Sequence, residues 1–77
     1  MKEVIVYTSS SCSACRTIKE FLSRNHVEFE ERSLERPEWL EELADHYGIA
    51  SAPAVVVDGE LLETALPAIA EALGLDF

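Results

Sequence analysis

Val4-Ile5-Val6-Tyr7-Thr8-Ser9-Ser10-Ser11-Cys12-Ser13-Ala14-Cys15 is the stretch on which the fold of this 77-residue chain turns. It passes from an apolar run through four small hydroxyl residues into two cysteines spaced C-x-x-C. The apolar run alternates poorly, which suits a strand buried on both faces. The hydroxyl residues make a polar loop able to cap a helix. The helix reads from Ser13 to about Asn25, with Ala14, Ile18, Phe21 and Leu22 on one face and Arg16, Lys19, Glu20 and Arg24 on the others. The two cysteines therefore open a helix. A thiol at a helix N-terminus is drawn toward its thiolate by unpaired N–H groups and the helix dipole. A second thiol three residues on can close a disulfide across one turn. The stretch points to thiol–disulfide exchange.

Working outward, Asn25 and His26 end the helix, and Val27 to Leu34 alternates like a second strand near a sheet edge. Pro37 suits the first position of a second helix, with Glu38, Glu41 and Glu42 near the positive end of its dipole. Leu40, Leu43, Ala44 and Tyr47 form its apolar stripe, His46 lies in its last turn, and Gly48 closes it. Trp39 is expected at the outer edge of that helix. Ala54 to Val57 is a β-branched run, Asp58-Gly59 a two-residue hairpin turn, and Glu60 to Glu63 the returning strand. Leu66, Ile69, Ala70 and Leu73 mark a last helix, with Pro67 in its first turn and Gly74 at its end. The order is β-α-β-α-β-β-α, a single α/β domain over residues 1–77 with a four-stranded mixed sheet.

The chain carries a net charge of −9, unevenly placed. All six basic residues (Lys2, Arg16, Lys19, Arg24, Arg32, Arg36) lie in the first 36 positions; from Pro37 onward there are nine acids and no Lys or Arg. Nucleic-acid binding needs a basic footprint, and this chain has none. The acidic surplus favours solubility, or steering toward a basic partner. No apolar run is long enough to cross a membrane, and no signal-peptide pattern leads the chain, so the expectation is a cytoplasmic protein, most simply a monomer. Two cysteines are too few for a secreted disulfide scaffold. A zinc site needs about four ligands, and only His26 and His46 could join the cysteines, at spacings unlike a finger. Metal or iron–sulfur carriage, and a redox-inert binding module, stand as the alternatives to exchange chemistry.

The element order, with C-x-x-C between the first strand and first helix, resembles the thioredoxin fold in its minimal, glutaredoxin-like form. Tyr7-Thr8 before the loop, Lys19 four residues after the second cysteine, Ala52-Pro53 before the third strand and Asp58-Gly59 in the hairpin all sit where glutaredoxins carry such residues. The resemblance implies that Cys12 is the low-pKa nucleophile and Cys15 the resolving thiol. It implies that Pro53 is cis and, with Ala52, forms the platform for a substrate chain. Arg16 and Lys19 are candidate modulators of the Cys12 thiol, and Tyr7 another, its hydroxyl reaching the active-site loop. No bound cofactor is implied. The partners are a protein disulfide and an upstream reductase. Three departures leave the reductant open between glutathione and a thioredoxin reductase. Ser9 stands where glutathione-using members have lysine, Ser13-Ala14 replaces the usual Pro-Tyr, and Glu63-Thr64-Ala65-Leu66 replaces a Gly-Gly and acidic cap. Some glutaredoxin-like redoxins lack the glutathione contacts, draw electrons from thioredoxin reductase and feed ribonucleotide reductase. The chain resembles them in size and in lacking the lysine.

Overall fold

The computed structural model describes residues 3–62 and 64–75. Its elements follow the expected order: β1 (Val4–Thr8), α1 (Ser13–Arg24), β2 (Glu30–Ser33), α2 (Pro37–Tyr47), β3 (Ala54–Val57), β4 (Glu60–Leu62) and α3 (Leu66–Leu73). The strands form one sheet in the order β2-β1-β3-β4. β1 runs parallel to β2, and the β1–β3 and β3–β4 pairs are antiparallel. This is the thioredoxin fold. Glu63, expected to end the last strand, lies outside the described residues.

The two central strands are buried along their whole length, because helices cover both faces of the sheet. Val4, Val6, Val55 and Val57 point to one face, where Ile18 and Leu22 of α1 and Ile69 of α3 pack on them. Ile5, Tyr7, Ala54 and Val56 point to the other, against Leu43 of α2. That two-sided cover explains why the sequence of β1 does not alternate. Trp39 lies half-buried against the second cluster, with the Arg36 guanidinium 4.7 Å above its ring, and so packs inward rather than lying at the outer edge of α2.

Three expectations are corrected. On α1 the buried stripe is Cys15, Ile18 and Leu22, while Ala14 is exposed; on α2, Ala44 is exposed and Leu43 carries the burial. Alanine is small enough to sit on either face, so its place in an apolar stripe carries little weight. Second, the segment 27–29 is not strand. Val27 donates its N–H to the Leu22 carbonyl at 2.9 Å and His26 donates to Ser23 at 3.1 Å, while His26 holds a φ of 59°. These two bonds close α1 as a Schellman motif, with histidine where glycine is usual. β2 starts only after that closure. Third, no hydroxyl of residues 8–11 caps α1; the cap is the sulfur of Cys12. The hairpin follows expectation: Asp58 (φ 50°) and Gly59 (φ 82°) both take left-handed backbone, the geometry of a type I′ turn.

Candidate active site

β1 delivers the chain to the loop 9–12, and α1 leaves it. Cys12 occupies the N-cap of α1, where its Sγ accepts the Cys15 N–H at 3.0 Å. A sulfur in this place receives a helix-terminal N–H and faces the positive end of the helix dipole. The two cysteines are joined by a disulfide, with Cα atoms 5.3 Å apart. Their surroundings differ. Cys12 is half-buried, whereas Cys15 is 2% exposed and lies 3.9 Å from the Tyr7 carbonyl oxygen. That carbonyl is placed to accept a hydrogen bond from the Cys15 thiol once the disulfide is reduced.

Pro53 reaches the same end of the sheet through the register of β3. Ala54 pairs with Tyr7, one residue before Thr8 enters the loop, so Pro53 comes next to that loop. The Ala52–Pro53 peptide bond is cis. Beside Pro53 runs a shallow groove of about 530 Å³, lined by Ile49, Ala54, Leu61, Leu62, Thr64 and Ala65. Among the described residues, nothing that lines it is charged. A larger cleft, about 740 Å³, is bordered by Val4, His26, Val27 and Leu73. It sits at the far end of β1 and α1, away from the cysteines.

The candidate modulators divide. Arg16 is exposed on α1, and its N–H donates to the Cys12 carbonyl at 3.4 Å. Lys19 does not present a free charge: its ammonium holds Glu31 at 3.0 Å. Glu31 also accepts the hydroxyl of Thr8, buried at the end of β1, at 3.0 Å. The Lys19 ammonium and the Thr8 hydroxyl hold the Glu31 carboxyl below the ordinary carboxylate range. The expectation that the Tyr7 hydroxyl reaches the active-site loop is corrected. Odd-numbered β1 residues face α2, so the Tyr7 hydroxyl donates to Glu42 at 3.2 Å and accepts from Arg32 at 3.3 Å. Burial pushes its phenol pKa up. Tyr7 meets the cysteines only through its backbone carbonyl.

Glu35 is the residue that the sequence reading missed. Its carboxylate accepts the N–H of Ser10, two residues before Cys12, at 2.9 Å. Leu34 donates to the Thr8 carbonyl at 2.8 Å, extending the β1–β2 ladder into the loop and bringing Glu35 to that place. No local motif announces a contact that spans 25 residues. Among the described residues, no group of three or more His, Cys, Asp or Glu side chains is arranged to hold a metal ion, and no helix is long and apolar enough to cross a membrane.

Comparison with known proteins agrees with this geometry. Residues 4–62 match the glutaredoxin family profile. The glutaredoxin-like protein NrdH of Lactococcus lactis subsp. lactis is 32% identical over 56 residues, which is 71% of this chain and 76% of that protein. Among solved structures, the T8A mutant of the thioredoxin-like protein BC3987 superposes with a TM-score of 0.90 at 31% identity, covering 99% of this chain and all of that one. The glutaredoxin of Archaeoglobus fulgidus superposes at 0.67 with 33% identity, over 79% of this chain and 73% of that one.

Proposed function

We propose, since this chain belongs to the glutaredoxin family, that its dithiol is recharged by a thioredoxin reductase rather than by glutathione. The chain is a glutaredoxin-like thiol–disulfide oxidoreductase with a C-x-x-C pair. We assign the attack to Cys12, whose sulfur sits at the N-cap. Its thiolate displaces one sulfur of a protein disulfide, which leaves as a thiolate and takes a proton. Cys15 then loses its proton and attacks Cys12 Sγ. The mixed disulfide breaks, the second substrate thiol departs, and the Cys12–Cys15 bond remains. Two electrons have passed from the dithiol to the substrate. Ala52 and Pro53 form the edge along which the substrate chain lies. The same reading makes the protein a cytoplasmic monomer with no bound cofactor.

The observation that carries the choice of reductant is the groove beside Pro53. Glutathione brings two carboxylates and needs cations to hold them. The described groove residues offer apolar side chains and one hydroxyl, from Thr64. Ser9 supplies no charge from the loop, and the side chain that hydrogen-bonds to that loop from β2's end is a carboxylate, Glu35. The test supplies NADPH with either thioredoxin reductase or glutathione plus its reductase, and follows NADPH oxidation in the presence of a disulfide substrate. Turnover is expected with thioredoxin reductase. Sustained glutathione-driven turnover at a low KM overturns the proposal.

A further inference from the structure

The loop before Cys12 carries no basic residue, yet one carboxylate is fixed to it. Glu35 is exposed, and its Oε2 accepts the Ser10 N–H at 2.9 Å, a charge-assisted bond to the backbone. Its main chain is fixed too. Its own N–H donates to Ser33 Oγ at 3.2 Å, and the flanking residues bond through Leu34 N–H to Thr8 and Arg36 N–H to Ser33. Nearby cations are otherwise engaged: Lys19 holds Glu31, and Arg36 holds Glu38 at 2.9 Å while stacking on Trp39. Arg16, one turn into α1, is exposed. Glu35 therefore fixes a negative charge on the loop two residues before Cys12.

We propose that Glu35 is a specificity-determining residue: its loop-bound carboxylate disfavours anionic disulfides and favours cationic ones. The inference rests on the dithiol exchange described above. The charge acts on the approach and on the mixed disulfide, leaving the bonds made and broken unchanged.

The test uses three small disulfides of one reaction type: cystamine, a dication; bis(2-hydroxyethyl) disulfide, neutral; and 3,3′-dithiodipropionate, a dianion. Rates of oxidation of the fully reduced protein are measured for wild type, Glu35→Gln and Glu71→Gln. Glutamine keeps an oxygen that can accept the Ser10 N–H while removing the charge. Glu71→Gln removes one charge from α3 and reports the effect of net charge alone. At low ionic strength, Glu35→Gln is expected to lower the cystamine-to-dithiodipropionate rate ratio by about threefold, with the neutral rate held within about twofold. At about 0.5 M salt the difference should vanish. Glu71→Gln should leave the ratio near its wild-type value. The proposal is overturned if Glu35→Gln leaves the ratio unchanged, if it moves all three rates together, or if Glu71→Gln moves the ratio as far. If wild type oxidises with none of the three, the exchange reading itself fails, an outcome distinct from an active protein with an unmoved ratio.

Discussion

Tyr7 shows how one residue can serve two parts of the molecule through different atoms. Its carbonyl lies against Cys15 Sγ on the active-site side, while its ring is fully buried on the opposite face of the sheet. The hydroxyl joins Arg32 and Glu42, which are also bonded to each other. Arg32 is held in its charged form, chiefly by Glu30. Tyr7→Phe would keep the backbone carbonyl and the ring packing and remove only the hydroxyl. Because the Arg32–Glu42 pair survives, the expected loss is that of a shared hydrogen bond, about 1 kcal/mol. Urea unfolding should show that loss, while the rate of disulfide reduction stays within about twofold of wild type, since the deleted atom does not face the cysteines. A large fall in rate at unchanged stability would mean that the hydroxyl acts on the site after all. The sequence hid this parity for a physical reason. In a strand covered on both faces, hydrophobicity marks neither side, so nothing in Val4-Ile5-Val6-Tyr7 tells which residues face α1. By contrast the places of Cys12, Cys15 and Pro53 at one end of the sheet were legible, because spacing, helix start and strand order constrain them together.

At the scale of elements, α1, β1 and β2 are tied at the active-site end by Lys19, Thr8 and Glu31. Each contributes one side chain, and Glu31 is their common acceptor. Its carboxyl titrates below the ordinary value of 4.5, first because of the Lys19 ammonium. A depressed carboxyl pKa in the folded state stabilises the fold above the unfolded value and loses that contribution as pH falls through the folded value. Comparing wild type with Glu31→Gln isolates this effect from the other carboxylates. The stability difference should be present at pH 7, shrink below about pH 4.5 and vanish as pH falls through the lowered folded-state value. Since Glu31 and Lys19 are both more or less half in solvent, the difference at pH 7 should be below about 1 kcal/mol. Denaturant unfolding across that pH range checks it, and a difference that grows on acidification would reverse the assignment. The helices and hairpin were legible in the sequence because their ends carry local signals: Pro37, Gly48, Asp58-Gly59, Gly74. β2 was legible in type and not in extent. Val27 to Phe29 has the alternation of a strand, but His26 in left-handed backbone spends the Val27 N–H on closing α1.

For the whole molecule, the uneven charge visible in the sequence has a consequence for stability that the fold makes concrete. Lys19, Arg32 and Arg36 each hold a carboxylate, and these pairs lie among the first two helices and β2. From Pro37 onward the chain has nine acids and no Lys or Arg, so most of that half has only long-range repulsion to contribute. What the sequence left illegible at this scale was where the first half's charges would meet the site. Glu35 reaches Ser10 only because the parallel β1–β2 ladder brings the end of β2 beside the loop, a contact fixed by topology rather than by neighbours in the chain. Two effects of salt oppose each other. Screening weakens the exposed ion pairs, each worth about 0–1 kcal/mol. It also relieves the self-repulsion of a chain at −9, acting over a Debye length of about 10 Å at 0.1 M. With 15 acids against six bases, the repulsive pairs outnumber the attractive ones, so repulsion should decide the sign. The Tm of the oxidised protein at pH 7 is expected to rise by several degrees between about 10 mM and 300 mM NaCl, on the scale where 1 kcal/mol moves a domain of this size by about 4–8 °C. Near pH 4.5, where many carboxylates are protonated, the same salt step should move Tm much less. Calorimetry at the two pH values settles it: a Tm that falls with salt at pH 7 would show that the ion pairs around Arg32 and Glu31 outweigh the acidic surplus.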